Sequence, residues 1–456
     1  MTVKISFLKK NLQDHYPRGA RRAARSIVEW IANNPSKNHN LICLGEKIPK
    51  SRPLSFFSDD LKPWLDSNSL FLPMNSLEKV SFPELRQILK KLLPPVSIPI
   101  LKSIFKFPRK LAQKTKQFIN ALSQKTTTVT GASENIIANE VARQNKMLAI
   151  SELDALISFE PFDDIWSLPV ENHSVLKIGW FYDAVPKRIH EGEGWRPELF
   201  DVATSLMVLR ADHIFCDSKS AEEDLHYFFP LSKVKTSVIH LGHDIERFSK
   251  RKPFGELNEQ LLHLGINPII PYFLFVGTVE PRKNITGILL AAQKLKQDFP
   301  GDAFQIIIAG QIPGQKTIRK LIHETNKVVP IHATEYISDE MVANLMHRAT
   351  AFLFPSLWEG FGIPNLEAMT AETLVITSDL GPMPEVCGEH ALYCDPYDHR
   401  SIAKKMHEAL KMPREERKTR IDAAKLYASQ FTWEKAAQKM MAKVEELLAE
   451  KQNKLS

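Results

Sequence analysis

Short apolar runs alternate with amphipathic segments along most of this chain. Short runs bounded by turn residues predict buried strands, and apolar positions at helical spacing predict helices. In the first half, strands are predicted at residues 3–8, 41–44, 213–216 and 238–241 and from Leu176 onward, and helices at 20–32, 135–150 and 197–209. Strands and helices therefore follow one another in the order that is typical of a doubly wound α/β sheet.

A second series of the same kind begins near residue 272. Strands are predicted at 272–276, 304–309, 351–354 and 374–378, and helices at 285–298, 314–327, 339–348 and 364–370. The polar segment 247–268 contains no long strand and is predicted to be a linker. Because 456 residues exceed what one core usually supports, we predict an N-terminal domain at 1–250, with an insertion at about 46–135, and a C-terminal domain at 268–430.

The overall composition restricts the classes of partner. The chain has 60 Lys and Arg against 53 Asp and Glu, a net charge of +7 that permits anionic partners without requiring them. No basic strand with interleaved aromatic residues is present, so we expect no nucleic-acid partner. Its four cysteines form no CxxC pair, which argues against zinc and favours free thiols in a reducing compartment. Because the N-terminus lacks the apolar core of a signal peptide and no apolar stretch reaches about 18 residues, we expect a cytoplasmic protein, or one bound peripherally to the inner face of a membrane.

A basic segment, residues 79–125, contains eleven Lys or Arg residues and a single acidic residue, Glu84. Apolar residues recur at roughly helical spacing over residues 100–122, with basic residues mostly between them. One interpretation is a helix in the headgroup plane of an anionic membrane, although Pro108 should kink such a helix. Two alternatives remain open. The segment could be a flap packed on the N-terminal domain with its lysines in water, or a flap whose lysines recognise an anionic acceptor.

The sequence SLWEGFGIPNLEAM, residues 356–369, carries the densest candidate chemistry. Glu359 and Glu367 stand eight residues apart, with two glycines and Pro364 between them. Glycines after a strand let the backbone approach a ligand closely, and Pro364 suits the first turn of a helix. With Glu367 in that first turn, the segment could offer carboxylates to sugar and ribose hydroxyls and free amides to a phosphate. The alternative is that Glu367 only complements the dipole of its own helix.

A second candidate is FLFVGTVEPRKN, residues 273–284. A predicted strand ends at Gly277 and Thr278, and Arg282 and Lys283 follow on a loop before a helix. Open α/β sheets bind ligands at the carboxyl ends of their strands. Two cations there would hold a diphosphate and stabilise it as a leaving group, each charge-assisted bond contributing about 1.5–3 kcal/mol. The alternative is a solvated turn with two ordinary basic residues.

Taken together, these two segments resemble the retaining nucleotide-sugar glycosyltransferases of family 4, also called glycosyl transferases group 1. The resemblance is strongest over residues 273–398 and covers most of the chain except about 46–135. The other motifs that carry it are WFYDAVP, ADHIFCDSKSAEEDL, SVIHLGHDIERF, YISDE at 336–340, ITSDLGPMPEVCGEHALYCDPYD and FTWEKAA. The resemblance implies the GT-B fold, in which two Rossmann-like domains face a central cleft, with a terminal helix at 431–452 crossing back to the N-terminal domain.

The resemblance also implies a role for particular residues. Glu359 would contact the donor sugar, Glu367 the ribose, and Arg282 with Lys283 the diphosphate. Gly19 would lie in an N-terminal loop near the phosphates. The remaining residues of the implied donor site are Gly277, Thr278, Tyr336, Ile337, Gly360, Phe361, Gly362 and Ile363.

Two features concern the reaction itself. The family often has His-Asp where this chain has Tyr182-Asp183, so Asp183 is our candidate for a sugar-side or acceptor-side contact, although it could equally cap a turn. No DxD-like motif is present, and we expect no cofactor and no essential metal.

The predicted activity is retaining transfer of a hexose from a GDP-mannose or UDP-glucose type of donor to a glycan or lipid-linked acceptor. A phosphorylase or nucleotide-sugar hydrolase with this fold, and a non-catalytic binding protein, are the alternatives.

Overall fold

The computed structural model describes residues 3–8, 18–34, 39–45, 69–71, 153–167, 175–189, 197–230, 233–251, 253–312, 314 and 316–455. The chain divides into two compact units. The first comprises residues 1–10, 37–156 and 163–176, and the second comprises 11–36, 157–162 and 177–456. The basic segment 79–125 and the predicted helix 135–150 lie outside the described residues, as does the predicted insertion apart from residues 69–71.

Thirteen strands and fourteen α-helices are defined within the described residues. The strands are β1 (Val3–Leu8), β2 (His39–Gly45), β3 (Ser69–Phe71), β4 (Ala155–Ser158), β5 (Leu176–Phe181), β6 (His213–Cys216), β7 (Lys235–Val238), β8 (Tyr272–Val276), β9 (Gln305–Ala309), β10 (Ile331–Glu335), β11 (Ala351–Phe354), β12 (Val375–Ser378) and β13 (Leu392–Cys394). The helices are α1 (Arg18–Asn33), α2 (Val185–Arg188), α3 (Pro197–Arg210), α4 (Lys219–Phe228), α5 (Ile245–Ser249), α6 (Phe254–His263), α7 (Ile285–Asp298), α8 (Lys316–Asn326), α9 (Asp339–Arg348), α10 (Ile363–Thr370), α11 (Met383–Cys387), α12 (His399–Lys411), α13 (Arg414–Ala428) and α14 (Trp433–Leu455).

In the first unit, β1, β2 and β3 are parallel neighbours. Val3 pairs with His39 at one end of the β1–β2 ladder and Leu8 pairs with Leu44 at the other. β3 continues the sheet beside the end of β2, beginning with the pair Cys43 and Ser69. Parallel strands require crossover connections, which agrees with the α/β order predicted from the sequence.

In the second unit, β5, β6 and β7 form a parallel set. β5 and β6 are almost entirely buried and were predicted from their apolar runs. The predicted strand at 238–241 was wrong, because the ladder runs over Lys235–Val238 instead. β7 has the polar sequence KTSV, and the apolar Ile239 and Leu241 are buried only after the strand has ended.

The second unit also contains a six-stranded parallel sheet with the order β10-β9-β8-β11-β12-β13. From β8 the chain proceeds outward to β9 and β10, then returns to β11 on the other side of β8 and proceeds outward to β13. The order therefore reverses between the neighbours β8 and β11. In open α/β sheets, this reversal creates a crevice at the carboxyl ends of the two strands, where ligands bind.

Buried aliphatic and aromatic side chains form the core beneath this sheet. Its members include Phe273, Phe275, Ile288, Leu289, Ala292, Ile306, Ile308, Leu353, Ile376, Ile402 and Met406. Within this sheet, β10 and β13 were not predicted, because their sequences IHATE and LYC do not give an apolar run. These two strands lie at the edges of the sheet, where a strand is apolar on fewer positions.

Two segments that were predicted as connections are helical in the structure. The predicted linker 247–268 contains α6 and most of α5. Its polar residues form only the outer face, because Leu257, Leu261 and Ile266 are buried. Gly19 was predicted in a loop but lies in the first turn of α1, because the helix already begins at Arg18.

The C-terminal helix α14 contacts α1. It also approaches the β5–β7 sheet, since Lys451 pairs with Asp212 at 3.0 Å and Glu450 with Lys235 at 3.5 Å. Within the described parts of the chain, no helix is long and apolar enough to cross a bilayer. Cys216, Cys387 and Cys394 are buried free thiols, as predicted.

Asn284 joins the loops at the carboxyl edge of the six-stranded sheet. It adopts left-handed backbone angles, with φ 57° and ψ 41°, and its Oδ1 accepts a hydrogen bond from Gly287 N at the start of α7. Its Nδ2 donates to the carbonyl oxygens of Pro355 at 3.1 Å and Pro396 at 2.7 Å. One buried amide thereby fixes the segments that follow β8, β11 and β13 relative to one another.

We expect Asn284→Asp to lower the free energy of unfolding by about 2–5 kcal/mol, because two buried carbonyl oxygens lose their donor and face a carboxylate. Aspartate keeps the capping oxygen and tolerates the left-handed backbone, so the loss isolates Nδ2. Urea unfolding measures the change. Ser338→Ala is the control, because it removes only the exposed N-cap bond to Met341 N and should cost about 1 kcal/mol. A loss no larger than that of the control would contradict this role of Asn284.

Candidate active site

The predicted chemical residues meet at the edge where β8 and β11 end. The two strands are paired, with Ala351 opposite Phe273. A single turn of 3-10 helix, Pro281–Lys283, follows β8, and the loop 355–362 follows β11. Leu357 N donates a hydrogen bond of 2.7 Å to the carbonyl oxygen of Arg282, which joins the two segments directly.

Arg282 and Glu359 form an ion pair at the centre of this edge, between Nη1 and Oε2. Arg282 Nε also contacts Glu280 Oε2 at 2.8 Å, and Ser356 Oγ donates to Glu359 Oε1 at 3.0 Å. Burial opposes the charge on Arg282, but Glu359, Glu280 and Asp183 outweigh it and raise the pKa of the guanidinium above its ordinary value. The two groups predicted to act on diphosphate and sugar therefore lie in contact, with the cation firmly ionised.

Lys283 lies beside Gly277, and the glycine makes room for its amine. A Cβ atom on Gly277 would come within 2.6 Å of Lys283 Nζ, and the glycine has φ +135°. Burial, and then Arg282, lowers the pKa of the Lys283 amine, while Glu359 opposes the shift. Among the described residues, no carboxylate oxygen lies within 4.0 Å of the Lys283 amine, the distance that defines an ion pair. A bound anion would favour its charged form.

Asp183 reaches the same site from the end of β5. Its Oδ1 accepts a hydrogen bond of 2.9 Å from Val185 N, so it caps a turn as well as facing the site. A Cβ atom on Gly360 would lie 3.1 Å from the Asp183 Cβ and only 2.3 Å from the carbonyl oxygen of Tyr182. Burial raises the pKa of Asp183, and Glu359 raises it further, against the opposing effects of Val185 N–H and Arg282.

Gly360 is held from both sides. Ser218 Oγ donates a hydrogen bond of 2.6 Å to its carbonyl oxygen, while the Tyr182 carbonyl occupies the space of a side chain. Ser218 is also the N-cap of α4, because its side chain accepts a hydrogen bond from Ala221 N. The loop after β11 therefore lies directly against the ends of β5 and β6.

Glu367 lies in the second turn of its helix, which corrects the prediction. Gly362, with φ +97°, is the N-cap of α10, so the helix begins at Ile363 and Glu367 is its fifth residue. Glu367 is buried, and its Oε1 instead contacts Arg22 Nη2 at 2.6 Å. Burial raises the pKa of Glu367 and Arg22 opposes the shift. Interaction with the dipole of its own helix start therefore does not explain this position.

The remaining predicted residues have varied settings. Phe361 and Ile363 are buried on either side of Gly362, and Thr278 is half-buried after β8. Tyr336 is 62% exposed beyond the end of β10, and Ile337 follows it. The next residue, Ser338, helps to line a cavity of about 290 Å³ between α6 and α9, together with Gln260, His263, Leu264, Glu340, Met341 and Asn344. Gly19 lies in α1, three residues before Arg22.

Sequence reasoning missed three residues of this arrangement. Arg22 is one of four arginines of α1, Asn284 ends the candidate segment 273–284, and Ser218 lies in the segment ADHIFCDSKSAEEDL, but no local pattern marks any of the three as functional. Each acts through a partner more than sixty residues away, and the local sequence carries no signal of such a partner. In the described part of the chain, no group of three or more His, Cys, Asp or Glu side chains could hold a metal ion.

We expect Gly360→Ala to reduce activity at this site by at least about tenfold, because its Cβ would collide with the Tyr182 carbonyl oxygen and displace Glu359. Steady-state kinetics on the folded variant measures the loss. Gly301→Ala is the matched control, since a Cβ there meets nothing within 4 Å. Full activity in Gly360→Ala would mean that the loop tolerates displacement.

Replacing Arg22 by leucine should lower the free energy of unfolding at both pH 5 and pH 8. The loss should be larger at pH 8 than at pH 5 by about 1–3 kcal/mol. Without its partner, Glu367 acquires a still higher pKa than burial gives it now. The folded state then holds a proton that the unfolded state releases, so stability is lost as the pH rises above the ordinary glutamate pKa. Urea unfolding at the two pH values measures this difference.

Arg25→Leu is the control for this change. Arg25 pairs at 3.1 Å with Glu29 of the same helix, and both side chains are about a quarter exposed. Its loss should cost under about 0.5 kcal/mol, with little dependence on pH. Equal pH dependence in the two variants would contradict the assigned role of Arg22.

Comparison with known proteins identifies the domain that carries most of this site. Residues 263–427 match the family model described as glycosyl transferases group 1. The O-antigen chain mannosyltransferase B of Escherichia coli is 33% identical over 166 residues, which is 36% of this chain and 42% of that protein. The glycogen synthase of Mycobacterium tuberculosis is 27% identical over 267 residues, or 57% of each protein. The chain thus matches less than two thirds of the length of either relative.

Solved structures match almost the whole chain. Sucrose-phosphate synthase from Thermosynechococcus elongatus superposes with a TM-score of 0.66 at 17% identity, covering 98% of this chain and 99% of that one. HepE from Anabaena, in complex with UDP and glucose, superposes with a TM-score of 0.63 at 14% identity, covering 97% and 100%. These similarities confirm the predicted α/β class and GT-B fold, and together with the family match they show that the chain carries a glycosyl transferases group 1 domain.

Proposed function

We propose that the chain transfers a hexosyl group from a nucleotide-sugar donor to a hydroxyl of a glycan or lipid-linked acceptor, with retention of configuration. One observation carries the proposal. The Arg282–Glu359 ion pair and the Lys283 amine lie together where the strand order reverses between β8 and β11. This is the edge at which open α/β sheets bind ligands, and these are the charges that a sugar diphosphate requires.

The chemistry follows from where charge develops. As the bond from the anomeric carbon to the diphosphate breaks, negative charge grows on the phosphate oxygen, which Arg282 and Lys283 would stabilise. Glu359 would accept hydrogen bonds from sugar hydroxyls and Glu367 from the ribose. In the proposed front-face reaction, the acceptor oxygen bonds to the anomeric carbon on the face that the phosphate leaves, and that phosphate oxygen takes the acceptor proton.

The donor is proposed to be GDP-mannose or UDP-glucose. Mannose is supported by the Escherichia coli relatives, which include the serotype-specific mannosyltransferase WbdA. Glucose is supported by the HepE structure in complex with UDP-glucose, whose fold this chain shares. We also propose that no metal is essential, because two cationic side chains are placed to neutralise the diphosphate.

The cellular setting of the reaction remains a prediction from the sequence. We propose a cytoplasmic enzyme whose basic segment 79–125 contacts an anionic membrane surface, which would bring a lipid-linked acceptor close to the site. The two alternatives for that segment, a packed flap and a flap that recognises an anionic acceptor, predict no binding to anionic vesicles in the absence of acceptor.

A donor screen tests the proposed function. Thermal shift with GDP-mannose, UDP-glucose and ADP-glucose should single out one donor, since a ligand at 100 times its Kd stabilises by about 2.7 kcal/mol. Lys283→Ala should weaken binding of the matching nucleoside diphosphate by about 10- to 100-fold in calorimetry. Lys294→Ala, which removes a surface ion pair with Asp298 in α7, should leave that affinity unchanged.

Product analysis separates the alternatives. Transfer should require an acceptor, persist with a chelator present, and give a product whose anomeric configuration matches that of the donor. Donor consumption at the same rate with water alone would identify a hydrolase, and consumption that depends on phosphate would identify a phosphorylase. Failure of all three donors to stabilise the protein would refute the proposed donor class.

A further inference from the structure

A second charged cluster lies next to the proposed site and joins its two sides. Asp224 in α4 is buried, with only 2% of its side chain exposed. Its Oδ1 accepts hydrogen bonds from Arg188 Nε at 3.0 Å and Nη2 at 2.5 Å, and its Oδ2 accepts one from Trp358 Nε1 at 3.0 Å. Both oxygens of one carboxylate are therefore used, and by two different segments of the chain.

Two of the three side chains, Arg188 and Trp358, also contact each other directly. The guanidinium of Arg188 lies 4.4 Å from the centroid of the Trp358 ring, within the range of a cation–π interaction. The indole also lies close to Gly381, because a Cβ atom on that glycine would be 3.6 Å from the Trp358 ring. The Trp358 ring is thus held by its N–H, by a cation and by a backbone surface, which restricts its rotamer and the path of its main chain.

Each end of this cluster adjoins a residue of the proposed site. Trp358 immediately precedes Glu359, and Arg188 lies five residues after Asp183 on the connection that follows β5. Asp224 itself belongs to neither segment. Its bonds therefore set the spacing between the segment with Asp183 and the segment with Glu359.

We propose that Asp224 is a positioning residue for sugar transfer. With Trp358 and Arg188 it forms a bridge, the Arg188–Asp224–Trp358 bridge, that holds Asp183 and Glu359 at a productive separation. This inference rests on the proposed function, because it concerns the geometry of that reaction. Among the described residues, Arg188, Asp224 and Trp358 form no hydrogen bond or ion pair with Arg282 or Lys283, and Arg282 keeps a second partner in Glu280. We therefore expect the bridge to act on alignment of the sugar and to leave the hold on the diphosphate intact.

The expected loss of rate comes from misalignment of the groups that contact the substrate. Two reacting groups held in near-attack geometry account for a large part of a rate enhancement, and a shift of about 1 Å costs roughly 100-fold. A carboxylate that accepts three bonds while buried cannot be replaced by an amide, because the NH₂ group of asparagine would face a donor. Asp224→Asn therefore breaks the bridge while leaving the size of the side chain almost unchanged.

The matched control lies on the same connection. Asp201 in α3 pairs with Lys187 at 2.9 Å, next to Arg188, so it also tethers α2. Among the described residues, neither Asp201 nor Lys187 forms a hydrogen bond with the loop 355–362. Asp201→Asn consequently removes a tether of the Asp183 segment but leaves the bridge.

The test compares Asp224→Asn, Trp358→Phe, the double variant and Asp201→Asn. We expect kcat to fall by about 10- to 100-fold in both bridge variants, with the Kd for the nucleoside diphosphate unchanged and no such fall in the control. The double variant should be no slower than Asp224→Asn alone, because both changes break one interaction. Multiplicative losses, or a loss of diphosphate affinity equal to the loss in kcat, would overturn the proposal.

Hydrogen exchange keeps this test separate from the proposed function. Amides in the loop 355–362 should exchange at least about tenfold faster in both bridge variants, whether or not a donor has been found, because a charge-assisted bond is lost. Asp201→Asn should exchange like the parent protein. Unchanged exchange in the bridge variants would refute the bridge itself, whereas faster exchange in a protein that transfers no sugar would refute only the proposed function.

Discussion

The side-chain amide of Asn284 is the interaction on which the arrangement of the site depends. It donates to the carbonyl oxygens of Pro355 and Pro396 while its oxygen caps α7. The turn with Arg282 and the loop with Glu359 are therefore held together before any charge is considered. A buried ion pair rarely repays the cost of taking two charges out of water by its own attraction. Here a neutral amide provides the geometry, and the ion pair adopts a position that is already determined.

The two cations of the site differ in how strongly their surroundings favour the charged form. Arg282 is surrounded by Glu359, Glu280 and Asp183, which keep it ionised, whereas burial and the neighbouring guanidinium lower the pKa of Lys283. A diphosphate would add negative charge close to both cations. Because it would favour the protonated form of Lys283, binding of the anion and uptake of a proton are coupled at this amine. The affinity for diphosphate should thus be most sensitive to pH through Lys283, not through the arginine.

The sequence predicted the strands of the six-stranded sheet that are apolar on both faces, and with them the class of fold. The more polar edge strands β7, β10 and β13 were misplaced or missed, because at the edge of a sheet the apolar run is broken. Glu359, Arg282 and Lys283 were predicted from glycine and charge patterns and from the family resemblance, but the contact between Arg282 and Glu359 depends on β8 and β11 being neighbours. No local sequence pattern predicts that β8 pairs with β11. None indicates that Arg22, near the N-terminus, forms an ion pair with Glu367.

The loop after β11 illustrates why a motif alone does not define an activity. Its five successive residues 358–362 have different neighbours. Trp358 contacts Asp224, and Glu359 contacts Arg282. Gly360 lies against Tyr182 and Ser218, the Phe361 ring lies 5.9 Å from that of His240, and Gly362 is the N-cap of α10. Four of these five contacts concern placement of the loop. A related chain without catalytic function could keep all four for the sake of its fold. What favours an enzyme here is the remaining contact, because Glu359 keeps 12% and Arg282 23% of its side chain exposed. An ion pair that serves only the fold does not require this exposure, whereas one that must exchange its partner for a substrate has to remain accessible.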